Sequence, residues 1–182
     1  MAEIGFSGGE KLKKYLEDLA EKSTSAKVNV GFFEGATYPD GTPVAAVAAI
    51  QNYGAPKASI PPRPFFSNAI KDNSPDWGDR IGEAIDQLGY DSVKVMDAMG
   101  QEIQGEIREA IVNISGPALS PITVMLRGMR SHDQSLVVTG KTVGEAAQRV
   151  AAGLTDYGAS TTPLRDTKTM LNSVEYKVDE SV

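Results

Sequence analysis

The stretch Ala26–Phe33, AKVNVGFF, decides the fold class. Val28, Val30 and Phe32 fall on one face of an extended chain, and Asn29, Gly31 and Phe33 on the other. A period of two over so short a run predicts a half-buried strand. One other stretch, residues 173–178, carries the same period, with Val174, Tyr176 and Val178 on one face. The two strands lie near opposite ends of a 182-residue chain, and what separates them reads as helix or turn. Pairing them draws both ends into one sheet. The expected fold is therefore α+β: a small, mainly antiparallel sheet of N- and C-terminal strands, packed by several helices including one long one. So small a sheet has open edges, which invite another copy of the chain unless blocked.

Working outward, residues 10–23 predict an amphipathic helix, with Leu12, Tyr15, Leu16 and Leu19 on one face. After the first strand, Pro39-Asp40-Gly41 is turn chemistry. Thr42 is expected as an N-cap and Pro43 as the first residue of a helix ending at Tyr53, closed by Gly54. Helices are expected over 65–72 and 75–88, separated at Ser74 and Pro75. The longest helix is expected over 91–115, with an apolar stripe running from Val95 through Met99, Ile103 and Ile107 to Ile111. Gly100 and Gly105 each cost that helix about 1 kcal/mol against alanine, which suggests close packing at both. Ser120-Pro121 starts a shorter helix over 121–130. Residues 131–163 are rich in Gly, Ser, Thr and Ala, and read as a flexible insertion or arm on a single domain spanning 1–182, with a helix available at 143–154. A short helix near 166–172 leads into the last strand.

Composition narrows the function. The net charge is −6, which argues against coating the outside of nucleic acid, since that needs concentrated Lys and Arg. Cysteine is absent, so there is neither disulfide nor thiolate metal site, and a bacterial cytoplasmic origin fits. The first residues lack the cationic start and apolar run of a signal peptide. No unbroken apolar run of about 18 residues is present to span a membrane.

Catalytic constellations are weak. His132 is the only histidine, and its neighbours Ser131 and Asp133 are adjacent in sequence, where a triad needs groups converging from separate elements. TGKT at 139–142 lacks the upstream glycine of a phosphate-binding loop, because that position is Ser135. Glu102 and Glu106 share a helical face with Arg108 and Glu109 nearby and read as solvated surface. Arg127 and Arg130 share a face at i, i+3 and read as part of a mixed charged surface. No cofactor or metal is expected.

Ile60–Ile70, IPPRPFFSNAI, is the stiffest segment. Proline fixes φ and holds the preceding residue extended, so 60–64 is expected to be a rod between two helices. A rigid elbow suits that position better than a PxxP ligand, which belongs in a flexible tail. Phe65 or Phe66 is expected in the core, with Arg63 left free to meet a carboxylate of this chain or of a neighbour.

Three segments, Val44–Ile70, Gly116–Gly128 and Thr162–Val178, together resemble the tailed-bacteriophage neck and tail-completion (virion morphogenesis) proteins. Tyr53 and Gly54 match an aromatic–glycine pair, and Pro62, Arg63, Pro64, Phe65 and Phe66 match a proline–aromatic core. Leu119, Ser120 and Pro121 match the second signature. Pro163, Leu164, Asp166, Thr167, Leu171, Ser173 and Tyr176 match the third. Asn52 stands where an acidic residue is common, and Lys168 where glycine is usual. The resemblance implies a structural role without catalysis: a tail terminator or tail-completion protein at the head–tail junction of the virion, made in the host cytoplasm. Its partners would be copies of itself in a ring, usually of six, and other neck and tail-tube proteins. DNA would pass through the lumen without sequence-specific binding, and an acidic chain suits such a lumen. A stopper or adaptor ring, or a head-morphogenesis factor, is the alternative within assembly. An enzyme (cell-wall hydrolase or nuclease) and a monomeric peptide-binding module are alternatives outside it. Tyr53, Pro62, Arg63, Pro64, Phe65, Phe66 and Asp166 are the expected interface or elbow residues.

Overall fold

A computed structural model describes residues 9–22, 25–154, 161–164 and 168–181. Among these, the elements are α1 (Gly9–Lys22), β1 (Ser25–Phe32), α2 (Val44–Tyr53), a single 3₁₀ turn (Pro56–Ala58), α3 (Phe65–Leu88), α4 (Ser92–Asn113), α5 (Pro121–His132), α6 (Gly140–Ala151), α7 (Thr169–Asn172) and β2 (Val174–Ser181). β1 and β2 pair antiparallel into a two-stranded sheet, so the fold is α+β, as the two alternating stretches predicted.

The chain divides into two compact units. Unit 1 comprises 1–31, 70–106 and 175–182, and unit 2 comprises 32–69 and 107–174. In unit 1, Val95, Met99 and Ile103 of the α4 stripe are buried. Tyr176 of β2 lies over Gly100, where an added Cβ would overlap its ring, and its hydroxyl donates to Asp97 Oδ1 at 2.9 Å. Gly105 has open space around it, so only one of the two glycines is there for close packing. Across the sheet, Asn29 Nδ2 donates to Asp179 Oδ2 at 2.7 Å. Arg80 of α3 meets Glu102 at 2.8 Å and Glu106 at 2.6 Å, and Trp77 Nε1 donates to Glu106 Oε2 at 3.1 Å. The two glutamates on one face of α4 therefore hold α3.

Three expectations about helices need correcting. α3 runs unbroken through Pro75, so the boundary expected at Ser74 is absent, and its 24 residues exceed the 22 of α4. Proline removes one helical hydrogen bond, from the carbonyl of Lys71. Lys71 and Pro75 are both exposed, so water can satisfy that carbonyl, and contacts on either side of the break hold the helix together. α2 begins at Val44, after Pro43 with ψ of 130°, and has no side-chain cap. The Val44 N–H donates instead to the Ala36 carbonyl at 2.9 Å, across the turn in which Asp40 Oδ1 accepts from the Thr42 N–H.

In unit 2, Phe65, Ile107, Ile111, Met125, Val44 and Val174 are buried. Ser120 caps α5 as expected, accepting from the Thr123 N–H, with Pro121 in the first turn. Within the section read as an arm, residues 140–151 form α6, three residues ahead of the available 143–154. It packs on α5 with Ala146 against Met125 and Met129, flanked by Ile122, Leu126, Leu136 and Val150. TGKT is the start of this helix: Thr139 and Thr142 form a reciprocal capping box.

Candidate functional site

The elbow is built from local chemistry. Gly54 closes α2 with φ of 77°, and its N–H donates to the Ile50 carbonyl at 2.8 Å. A Cβ there would stand 2.9 Å from both the Ile60 carbonyl oxygen and the Pro62 nitrogen. Glycine is thus required twice, for its backbone angle and for the rod that crosses it. Ala55 and Ile60 pair across the 3₁₀ turn, exchanging hydrogen bonds of 2.9 and 3.1 Å.

α3 begins where the rod ends, and Pro64 offers it no side-chain cap. Asn52, buried on α2, serves instead: its Oδ1 accepts from the Phe66 N–H at 3.0 Å and the Ser67 N–H at 3.1 Å. These are two of the first-turn donors that a helix cannot satisfy by itself. The Asn52 Nδ2 donates to Ser67 Oγ at 2.7 Å. The position where an acidic side chain was noted as usual is therefore a helix cap delivered from a neighbouring helix.

Arg63 does not reach outward. It is 4% exposed, and its described partners are the Pro117 carbonyl at 3.0 Å, the Ala118 carbonyl at 3.4 Å and Gln51 Oε1 at 2.9 Å. The expected freedom to meet a carboxylate is thus replaced by a clasp on backbone carbonyls. The planar guanidinium has five donors, and one such group can tie the elbow to α2 and to the segment before α5. Burial, and secondarily the charge of Arg127, push its pKa down, although a guanidinium stays charged regardless.

Phe65 is buried, and its ring meets Phe32 edge-on at 6.3 Å and Phe66 at 6.5 Å. Phe66 and Pro64 are half-buried and Pro62 is exposed. Tyr53 is 73% exposed beside Gly54. Asp166 lies outside the described residues.

Next to the clasp is a cleft of about 270 Å³, with Val47 and Gln51 of α2, Leu119, Arg127, Arg130 and Met170 among its lining. Arg127 and Arg130 face it together, as their i, i+3 spacing on α5 dictates. Arg127 donates to the Thr162 carbonyl at 2.8 Å. Tyr38 and Asp40, from the turn after β1, complete the wall. Asp40 is held below the usual carboxylate range, first by the Thr42 N–H and least by Arg130. With Asp40 on the same wall, the cleft carries both signs of charge. The spacing of the arginine pair is visible in sequence, but the tyrosine and aspartate arrive from 87 to 92 residues away in the chain.

His132 turns back on its own helix, with Nδ1 2.9 Å from the Gly128 carbonyl. Among the described residues no three His, Asp or Glu side chains are placed to hold a metal ion, and no helix is long and apolar enough to cross a membrane. No family model, no curated protein and no solved structure matches the chain.

Proposed function

We propose that this chain is a structural protein of a tailed-phage virion, a ring-forming tail terminator or tail-completion protein that joins the tail tube to the head. One observation carries the reading. The three segments bearing the resemblance, far apart in sequence, meet within unit 2 in the parts that fall there, 44–69, 116–128, 162–164 and 168–174. Arg63 of the first clasps the Pro117 and Ala118 carbonyls of the second, and Arg127 of the second holds the Thr162 carbonyl of the third. All three line the same cleft. A motif set scattered by chance has no reason to converge in this way.

In this reading the elbow has an inner and an outer side. Phe65, Arg63 and Asn52 make it rigid. Tyr53 and Pro62, exposed on it, are the surface offered to the next subunit, since aromatic residues are enriched where subunits meet. The two-stranded sheet is compatible with the same reading, because among the described residues no third strand pairs with it. Quantitative mass spectrometry of purified virions tests it. The expected result is this chain at a small fixed copy number per particle. Its absence from virions, together with activity of the purified chain on cell wall or DNA, supports an enzyme instead.

A further inference from the structure

The apolar face predicted for α1 is present, and nothing among the described residues covers it. From Glu10 to Lys22 every residue is exposed except Leu19, which is half-buried. Leu12, Tyr15 and Leu16 are 59%, 60% and 53% exposed. A helix of 14 residues is marginal alone in water. Its C-terminal end is tied to α4 by a hydrogen bond from the Ser92 hydroxyl to the Lys22 carbonyl at 3.4 Å. The face toward which the sequence is patterned is therefore the face left in water.

The charges say what covers it. Glu10, Lys11, Lys13 and Lys14 are three cations and one anion, net +2, while Glu17, Asp18, Glu21 and Lys22 are three anions and one cation, net −2. The helix is basic in its first half and acidic in its second, which makes it complementary to itself reversed. We propose that α1 docks antiparallel on α1 of a second copy of this chain, apolar face to apolar face. Centred between Tyr15 and Leu16, this pairing sets Leu12 level with Leu19 and brings Lys11 to the same flank as Asp18 of the other copy, offset by about two residues' rise. A parallel pair would set like charges side by side, which is destabilising. Within one helix the Lys13–Glu17 pair spans 3.8 Å with both side chains largely exposed, so it does little to hold α1 together by itself. A lipid surface would use the apolar face but has no use for the reversal of charge along it.

The contact has two-fold symmetry, with the same patch on both partners. It is distinct from the head-to-tail contacts of a cyclic ring and stands independently of the ring reading. Because the native chain has no cysteine, single cysteines report on it cleanly. Full-length Lys11→Cys and Asp18→Cys proteins are mixed and oxidised. The expected result is a disulfide between the two variants, several-fold above what either forms alone. Sedimentation supplies a second arm: Lys11→Glu/Lys13→Glu/Lys14→Glu and Glu17→Lys/Asp18→Lys/Glu21→Lys each lose the two-fold contact alone and recover it when mixed. All six positions are exposed and every apolar residue is kept, so folding is not at issue. Lys11→Cys cross-linking best with itself would overturn the orientation. Association unchanged in both charge variants, or α1 binding anionic phosphatidylserine vesicles without pairing, would overturn the proposal.

Discussion

Phe65 and Tyr53 stand twelve residues apart on the elbow and are exposed to opposite degrees, 1% against 73%. Removing the Phe65 ring leaves a cavity against Phe32 and Phe66, and Phe65→Ala is expected to cost about 3–5 kcal/mol in urea unfolding. Tyr53→Ala is expected to change stability by no more than about 0.5 kcal/mol, as surface substitutions do. If Tyr53 serves assembly, that variant folds normally and fails to enter virions. A well-folded Phe65→Ala protein would contradict the core role of the ring. Arg63 taught the opposite lesson from Phe65. The sequence marks it as special, yet the partners that bury it are carbonyls at 117 and 118, which no spacing rule connects to position 63. Asn52 was equally illegible, because a cap supplied by another helix leaves no local signature at either end.

At the scale of elements, α4 offers a paired test. Gly100→Ala forces a methyl group into the Tyr176 ring and is expected to destabilise by about 1–3 kcal/mol, the usual cost of overpacking. Gly105→Ala meets open space and is expected to stabilise by up to about 1 kcal/mol, the helix propensity gained. Thermal melts of the two variants should shift in opposite directions; equal shifts would refute the packing of β2 on α4 at Gly100. The start of α4 gives a pH test. Asp91 Oδ1 accepts from the Lys94 N–H at 3.1 Å, and its carboxylate lies 3.0 Å from Lys94 Nζ. The Lys94 side chain, and then its N–H, hold the Asp91 pKa below its ordinary 3.8. A depressed carboxylate contributes stability that is fully present above its unfolded value and is lost as pH falls through the folded one. Denaturation midpoints should therefore decline below about pH 4 in wild type, and less steeply in Asp91→Asn.

The periodic elements were legible: both strands, the α4 stripe, the Ser120 cap and the glycine closing α2 all followed from short-range rules. Pro75 misled because its exposed position on α3 makes the missing hydrogen bond cheap, and exposure is a tertiary property. The cleft was illegible for the same kind of reason. Its arginines are neighbours in sequence, but Tyr38, Asp40 and Met170 come from distant turns and helices.

At the scale of the whole molecule, two features ask for company: an exposed aromatic and proline on a rigid elbow, and the exposed apolar face of α1. In the proposed ring, a chain of net charge −6 would present DNA with a lumen it does not adhere to. On the proposed reading, cryo-EM of the neck of a virion whose genome encodes this chain tests the account most directly, because symmetry and axial position separate a terminator from a stopper or an adaptor. The account predicts a closed ring of this chain between head and tail tube, with Tyr53 and Pro62 at the contact between neighbouring subunits. A neck fully accounted for by other proteins, with no copy of this chain in it, would contradict it.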